Sequence, residues 1–211
     1  MPFGYIGQNQ TKQQVKNSGV LSSFDISLLE KKGQASGSLE LIETQTISSN
    51  TAAVDFTDIK ADIYDVHRLE IINARSDTDD KDFSLRVSVG GTFDVGANYH
   101  RALFSVGADG KTQESYATTS SQMDITLHTG NATNEKANSY IYIYNAGNSA
   151  KMTFNTNQST TINVNGVYKM VFGGGLYDQV GTVDGFRIFM DASGNIESGV
   201  FNLYGIKQWV T

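Results

Sequence analysis

The feature that most constrains this chain is a period of two. Phe83, Leu85, Val87 and Val89 alternate with Ser84, Arg86 and Ser88. Successive side chains of a strand point to opposite faces, so the run predicts a half-buried β-strand. Met123, Ile125 and Leu127 alternate in the same way with Asp124 and Thr126, and Phe186, Ile188 and Met190 with Arg187 and Phe189. Further strands are expected at 39–48, 53–56, 64–72, 99–106, 140–144, 151–155, 160–164, 167–172 and 200–204. Turn residues separate them, as in Gly107-Ala-Asp-Gly110, Asn145-Ala-Gly-Asn148 and Asp191-Ala-Ser-Gly-Asn195. Gly and Asn accept the positive φ of tight connections. About a dozen short strands with such turns predict an all-β, antiparallel, jelly-roll-like β-sandwich over residues 38–211.

Residues 1–37 have a different character. Up to Val20 the chain is polar and rich in Gln and Asn, with apolar residues clustered at Phe3, Tyr5 and Ile6. Such a segment cannot build a core, so it is expected to be an extended docking arm anchored by those three residues. One short helix is expected next. Ser22 or Ser23 caps it, Asp25 lies in its first turn, Lys31 and Lys32 in its last, and Gly33 ends it. Phe24, Leu28 and Leu29 form its packing side, with Ile26 beside them. Residues 34–37 read as a linker.

Composition excludes several classes. With Cys 0, there is no disulfide frame, thiolate nucleophile or Cys-held metal. Lys+Arg 16 against Asp+Glu 22 gives a net charge of −6, so no global attraction to nucleic acid or anionic lipid is expected. No apolar run is long enough for membrane insertion as a helix. Residues 1–20 lack the charged-then-apolar plan of a secretory leader, and release by cell lysis is expected instead.

Each candidate for chemistry has a plainer reading beside it. His67, His100 and His128 lie in or beside expected strands. His67 and His100 could meet across a sheet and bind zinc with Asp65, but strand-surface imidazoles are favoured, because a metal needs converging ligands. Ser76-Asp-Thr-Asp-Asp-Lys-Asp82 offers oxygens for calcium, yet it lacks the Gly and terminal Glu of a helix–loop–helix site and reads as a solvated turn. Gly173-Gly-Gly175 has no Lys-Ser/Thr and no helix after it, so a flexible strand exit is favoured over a phosphate cradle. The sequons at Asn131 and Asn157 carry little weight without a secretory signal. Glu40, Glu43 and Glu70 do not form a demanded pair, and no Gly-x-Ser-x-Gly occurs, so the expectation is a non-enzyme with no cofactor and no metal.

Tyr140-Ile-Tyr142-Ile-Tyr144 is more distinctive. In a strand the three Tyr share one face, opposite Ile141 and Ile143. Two readings stand. If the Ile side is buried, the Tyr ladder faces outward as a contact surface for sugar or protein. Alternatively both faces are covered, one by a second sheet and one by a subunit neighbour.

The order of parts carries a resemblance. Tyr5-Ile-Gly7, Lys16-Asn-Ser-Gly-Val20, Gly37-Ser-Leu-Glu-Leu-Ile-Glu43, Tyr64-Asp-Val-His67 and Asp184-Gly-Phe-Arg-Ile188 lead to a closing Ser198-Gly-Val-Phe-Asn-Leu-Tyr-Gly-Ile-Lys207. Together they resemble virion structural proteins of tailed bacteriophages, especially those of marine bacteria. The resemblance spans nearly the whole chain, and the closing pattern is its most specific part. It implies a non-enzymatic structural protein of the virion, made in the host cytoplasm, with other capsid or tail proteins as partners. The expected form is a homo-oligomeric tail-fibre or appendage component that touches host-surface glycan or protein. A capsid decoration protein is the first alternative, and a glycan-modifying virion enzyme the second.

Overall fold

The computed structural model describes residues 38–207. Among these, thirteen strands and no helix are found. The expected arm anchors Phe3, Tyr5 and Ile6, and the short helix with Phe24, Leu28 and Leu29, lie outside the described residues.

The strands are β1 (Leu39–Ile47), β2 (Ala53–Phe56), β3 (Val66–Ser76), β4 (Phe83–Val89), β5 (Thr92–Phe93), β6 (Tyr99–Gly107), β7 (Thr112–Ser120), β8 (Met123–Asp124), β9 (Ala137–Tyr144), β10 (Met152–Ile162), β11 (Tyr168–Val180), β12 (Gly185–Met190) and β13 (Ile196–Ile206). They form an eight-stranded sheet in the order β1-β13-β3-β9-β10-β11-β6-β7 and a five-stranded sheet built on β2-β12-β4-β5, with β8 also on β4. Every strand pairing is antiparallel. The inner faces share one core. Leu69, Ile71, Ile141, Ile143, Phe201 and Leu203 of the large sheet meet Val54, Phe56, Phe83, Leu85, Phe186 and Ile188 of the small one. This is a β-sandwich-like arrangement, in which alternating apolar residues of two sheets close on each other.

The closing sequence pattern has a structural reason. It runs along β13, between β1 and β3. Phe201 and Leu203 enter the core. Gly205 lies against the Tyr64 ring, where a Cβ would stand 2.3 Å from ring carbons. Lys207 pairs with Glu40, which also accepts from the Tyr64 hydroxyl at 2.5 Å.

Several elements differ from the sequence reading. The expected strands at 151–155 and 160–164 are one continuous β10. Its inward residues Thr153, Asn155, Asn157, Ser159 and Thr161 are polar yet buried. The expected strand around Met123–Leu127 pairs only at Met123 and Asp124. Beyond them the chain crosses the inner face of the large sheet. Here β10 supplies the missing partners: Asn157 Nδ2 and Ser159 Oγ donate to Ile125 O at 3.0 and 2.8 Å. Thr161 and Thr129 join through their hydroxyls at 3.3 Å. On the other side, Ile125 N donates to Phe83 O at 2.7 Å, and Phe83 N donates to Thr126 Oγ1 at 2.9 Å. A buried, irregular segment needs such partners for its backbone.

Gly173–Gly175 is not a strand exit but the middle of β11. A Cβ on Gly173 would stand 2.1 Å from Ala102 O, and one on Gly174 2.3 Å from Asn155 O. The glycines let β11 lie close to both neighbours. β5 and β7 have no counterpart in the sequence reading. β7 is a polar edge strand, and its alternation carries little apolar content. At 191–195 the positive φ falls on Ala192 and Ser193 (45° and 67°) rather than on the Gly or Asn. Asp82 N donates to Asp191 Oδ1 and Gly194 N to Asp191 O, which fixes that turn.

The Ile125 carbonyl tests the polar ladder. Asn157→Leu and Ser159→Ala each leave it one donor, whereas the double variant leaves it none. Stripping a buried acceptor costs about 1–3 kcal/mol. The double variant is therefore expected to lose more stability than the two single losses added together, read by urea denaturation.

Candidate functional site

The inner face of the large sheet is occupied by the core, and among the described residues nothing covers its outer face. Cross-strand register orders that face into rows. One runs Leu41, Tyr204, Arg68, Tyr142, Thr156, Gly174, Ala102, Tyr116 across all eight strands. The next runs Thr44, Asn202, Glu70, Tyr140, Gln158, Phe172, Phe104, Glu114. Ile141 and Ile143 are fully buried, so Tyr140, Tyr142 and Tyr144 all lie on this outer face, with Tyr140 39% exposed.

The part of the face around β3, β9 and β10 mixes aromatic and polar groups. Tyr140 and Tyr142 meet edge to face, with centroids 6.1 Å apart. The Arg68 guanidinium lies 5.7 and 5.9 Å from their ring centres and pairs with Glu70 at 2.6 Å. Gln158 accepts from the Tyr140 hydroxyl, and Tyr144 and Thr156 hydroxyls are 3.3 Å apart. Cation–π contacts and hydrogen bonds hold the rings in fixed orientations. Beside Tyr140 lies a shallow cavity of about 340 Å³, lined by Arg68, Glu70, Ile72, Asn138, Gln158 and Thr160. Aromatic edges, amide groups and one fixed ion pair around a shallow floor suit contact with a hydroxyl-rich or polar surface. The sequence reading found the three Tyr. It missed Arg68, Asn138 and Gln158, and named Glu70 only as a strand carboxylate, because only strand order brings them alongside.

The histidines separate. His67 is on the inner face of β3 and His100 on the outer face of β6, four strands away, so they do not meet with Asp65. His67 Nε2 lies 2.7 Å from Ile59 O, and its ring packs on Phe186. Burial holds this imidazole below its ordinary range, against the opposing pull of Ile59 O and Asp65. His128 Nδ1 is 2.6 Å from Asp80. Lys169 donates to Gln113 Oε1 at 3.0 Å, which turns the Gln113 amide nitrogen toward His128 Nε2 at 2.6 Å. The proton then sits on Nδ1, and both ring nitrogens are engaged.

The carboxylates of 76–82 also disperse. Asp77 accepts from Asn195 N and from Asn50 and Asn195 side chains, Asp79 from Asn131 N, and Asp82 from His128 N. They clamp neighbouring loops rather than facing a common centre, so this stretch is more than a solvated turn. Asn157, the second sequon, is buried with its amide on Ile125 O.

Asp82 carries a pH prediction. Burial pushes its carboxyl up to about 7, with Asp124 and Asp191 adding to the rise and the His128 N–H opposing it. The folded chain thus keeps a proton that the unfolded chain loses near pH 4. Stability from this group falls as pH climbs from about 4 to 7, because the folded state binds the extra proton in that window. Asp82→Asn keeps the acceptor oxygen and removes the titration. Its melting temperature is expected to exceed that of the wild type at pH 8, with the gap closing by pH 4. Buried His67 has the opposite sign, its contribution being present above about 6.5 and lost as pH falls. It is common to both proteins and cancels in the difference. Parallel melting curves from pH 4 to 8 would contradict the assignment.

No protein-family model matches the sequence, and no curated protein matches it significantly.

Proposed function

We propose that the protein is a non-enzymatic structural subunit of a tailed-phage virion, displayed on the particle and touching the host surface through the open face of its large sheet. The observation that carries this reading is the fixed Tyr140–Tyr142–Arg68 cluster on a sheet face that no other described residue covers. Ordered aromatic side chains give contact area at low entropic cost, which suits a recognition surface. The sequence resemblance to phage structural proteins points the same way. A jelly-roll-like course of the chain belongs to the same proposal, supported by the return of β13 between β1 and β3 and of β11 beside β6. Residues 1–37 serve as the attachment segment in this reading, with Phe3, Tyr5 and Ile6 as anchors.

Localisation tests it directly. An antibody to the protein is expected to label purified particles of the phage that encodes it, at the tail and in a few dozen copies or fewer. Label over the head in hundreds of copies would instead make it a decoration protein. Absence from purified particles would overturn the virion reading. Removing residues 1–20 is expected to leave a folded protein that no longer joins the particle. Tyr142→Ala is expected to weaken adsorption to host cells with little change in melting temperature. A large thermal loss with unchanged adsorption would make Tyr142 a packing residue only.

A further inference from the structure

Two hairpins at one end of the large sheet enclose a polar cavity. The β6–β7 turn and the start of β11 are tied by Ala108 N, which donates to Tyr168 O at 2.9 Å. Both hairpin turns are tight. Gly110 and Gly166 take φ of 78° and 71°, and their N–H groups donate back to Gly107 O and Asn163 O at 2.9 and 2.8 Å. Between the turns lies a cavity of about 500 Å³ walled by Asp109, Lys111, Gln113, Asn163, Asn165 and Lys169. Among the described residues that line it, Val167 alone is apolar. The cavity belongs to the inward side of the sheet. Lys169 shares its face with Val171, two residues along, which packs on Leu103 and Leu127.

Two buried donors in this cavity have hydrogen-bonding capacity left over. Lys169 is 9% exposed, and its ammonium gives one bond, to Gln113 Oε1 at 3.0 Å. Among the described residues no carboxylate pairs with it. Asp109 is taken by Lys111, whose N and Nζ lie 3.2 and 3.3 Å away, and Asp80 is taken by His128 at 2.6 Å. Asn163 is 6% exposed. Its Oδ1 accepts from Asn165 N and Val167 N at 3.0 and 2.9 Å. Those two bonds decide which end of the amide is oxygen. Asn163 Nδ2 is left as a donor with no acceptor among the described residues. Water can accept from both groups, but it cannot supply the negative charge that a buried ammonium lacks.

We propose that this cavity binds a sugar unit that carries a carboxylate, the acid group accepting from Lys169 Nζ and Asn163 Nδ2 and the hydroxyls meeting Asp109 and Asn165. A charge-assisted bond to Lys169 selects an anion. The volume selects more than a bare ion, since cavities of about 300–1,000 Å³ hold small organic molecules. The polar walls select a hydroxyl-rich body, because an apolar one would strip water from amides and give nothing back. The two tight turns hold the walls in place before binding, which lowers the entropic cost. The site lies on the opposite side of the sheet from Tyr140 and Tyr142. It therefore stands apart from whatever the outer face touches, and from the virion reading.

Nuclear magnetic resonance titration of the full chain tests it, with glucuronate, galacturonate and mannuronate as probes. At least one is expected to shift the side-chain amide signals of Asn163 and Asn165, with a roughly millimolar dissociation constant. Glucose, acetate, inorganic phosphate and a short aspartate peptide are each expected to bind at least 10-fold more weakly. Lys169→Gln removes the charge. Asn163→Asp keeps the oxygen that holds the turn and sets a carboxylate against the ligand. Each is expected to weaken uronate binding roughly 10-fold or more. Tyr142→Ala is expected to leave it unchanged. Circular dichroism checks folding, and if one cavity variant does not fold, the other decides the result. No shift with any of the three uronates, equal binding of glucose, acetate, phosphate or the peptide, or full binding by a folded cavity variant would overturn the proposal. Loss of binding in Tyr142→Ala would overturn the placement.

Discussion

The structure depends on how β10 satisfies a stretch of chain that no sheet pairs. From Ile125 to Thr129 the backbone runs between the layers, where an unmade hydrogen bond is costly. β10 meets it with Asn157, Ser159 and Thr161, all buried and all aimed at that segment. Phe83 and Lys81 bind it from the opposite side. A row of valines at these positions would bury more apolar area but leave the Ile125 carbonyl bare. The polar ladder therefore fixes where the crossing segment lies, and through it the spacing of the two sheets at this end of the core.

That arrangement determines which surface is left for function. The small sheet and the crossing segment together cover the inner face of the central strands, from β13 to β6. Among the described residues, nothing covers the outer face. Strand order then sorts that face by chemistry. β3 and β9 bring Arg68 and Glu70 beside the tyrosines, whereas β11 and β6 bring Phe172, Phe104 and Leu176 together. Two neighbouring zones of different chemistry arise from one continuous sheet.

The sequence revealed strands wherever burial means contact with apolar side chains. Residues 83–89 and 53–56 were legible to the residue, because Phe83, Leu85, Val87, Val54 and Phe56 all face the shared core. The pattern fell silent on β10, where the buried positions face carbonyls and hydroxyls, so Thr156 to Ser159 looked like a loop. It also misread 125–127, whose alternation is real but whose residues are all buried, with no solvent face. β7 escaped because an edge strand with both faces largely wet has no need of apolar alternation. For the open face, Tyr140, Tyr142 and Tyr144 were legible through Ile141 and Ile143. Their companions were not, since Arg68 and Gln158 are distant in sequence and adjacent only through register.

The three central glycines of β11 link the inner constraint to the outer surface. Gly175 faces inward, where a Cβ would stand 2.7 Å from Met123 Cγ and Sδ, so the crossing segment itself demands the absence of a side chain. Gly173 adopts φ 157° and lies against the β6 backbone, a conformation that side chains rarely take. Gly174 faces outward, but it too is held by close approach, in this case to Asn155 O. Asn155 is one of the inward polar residues of β10, with its amide 3.0 Å from Met123 Sδ. Drawing β10 and β11 together over the buried segment thus strips the outer face of a side chain at Gly174. The groove of about 640 Å³ over Gly174 and Ala102 on the outer face is the outward consequence of the hydrogen bonding inside.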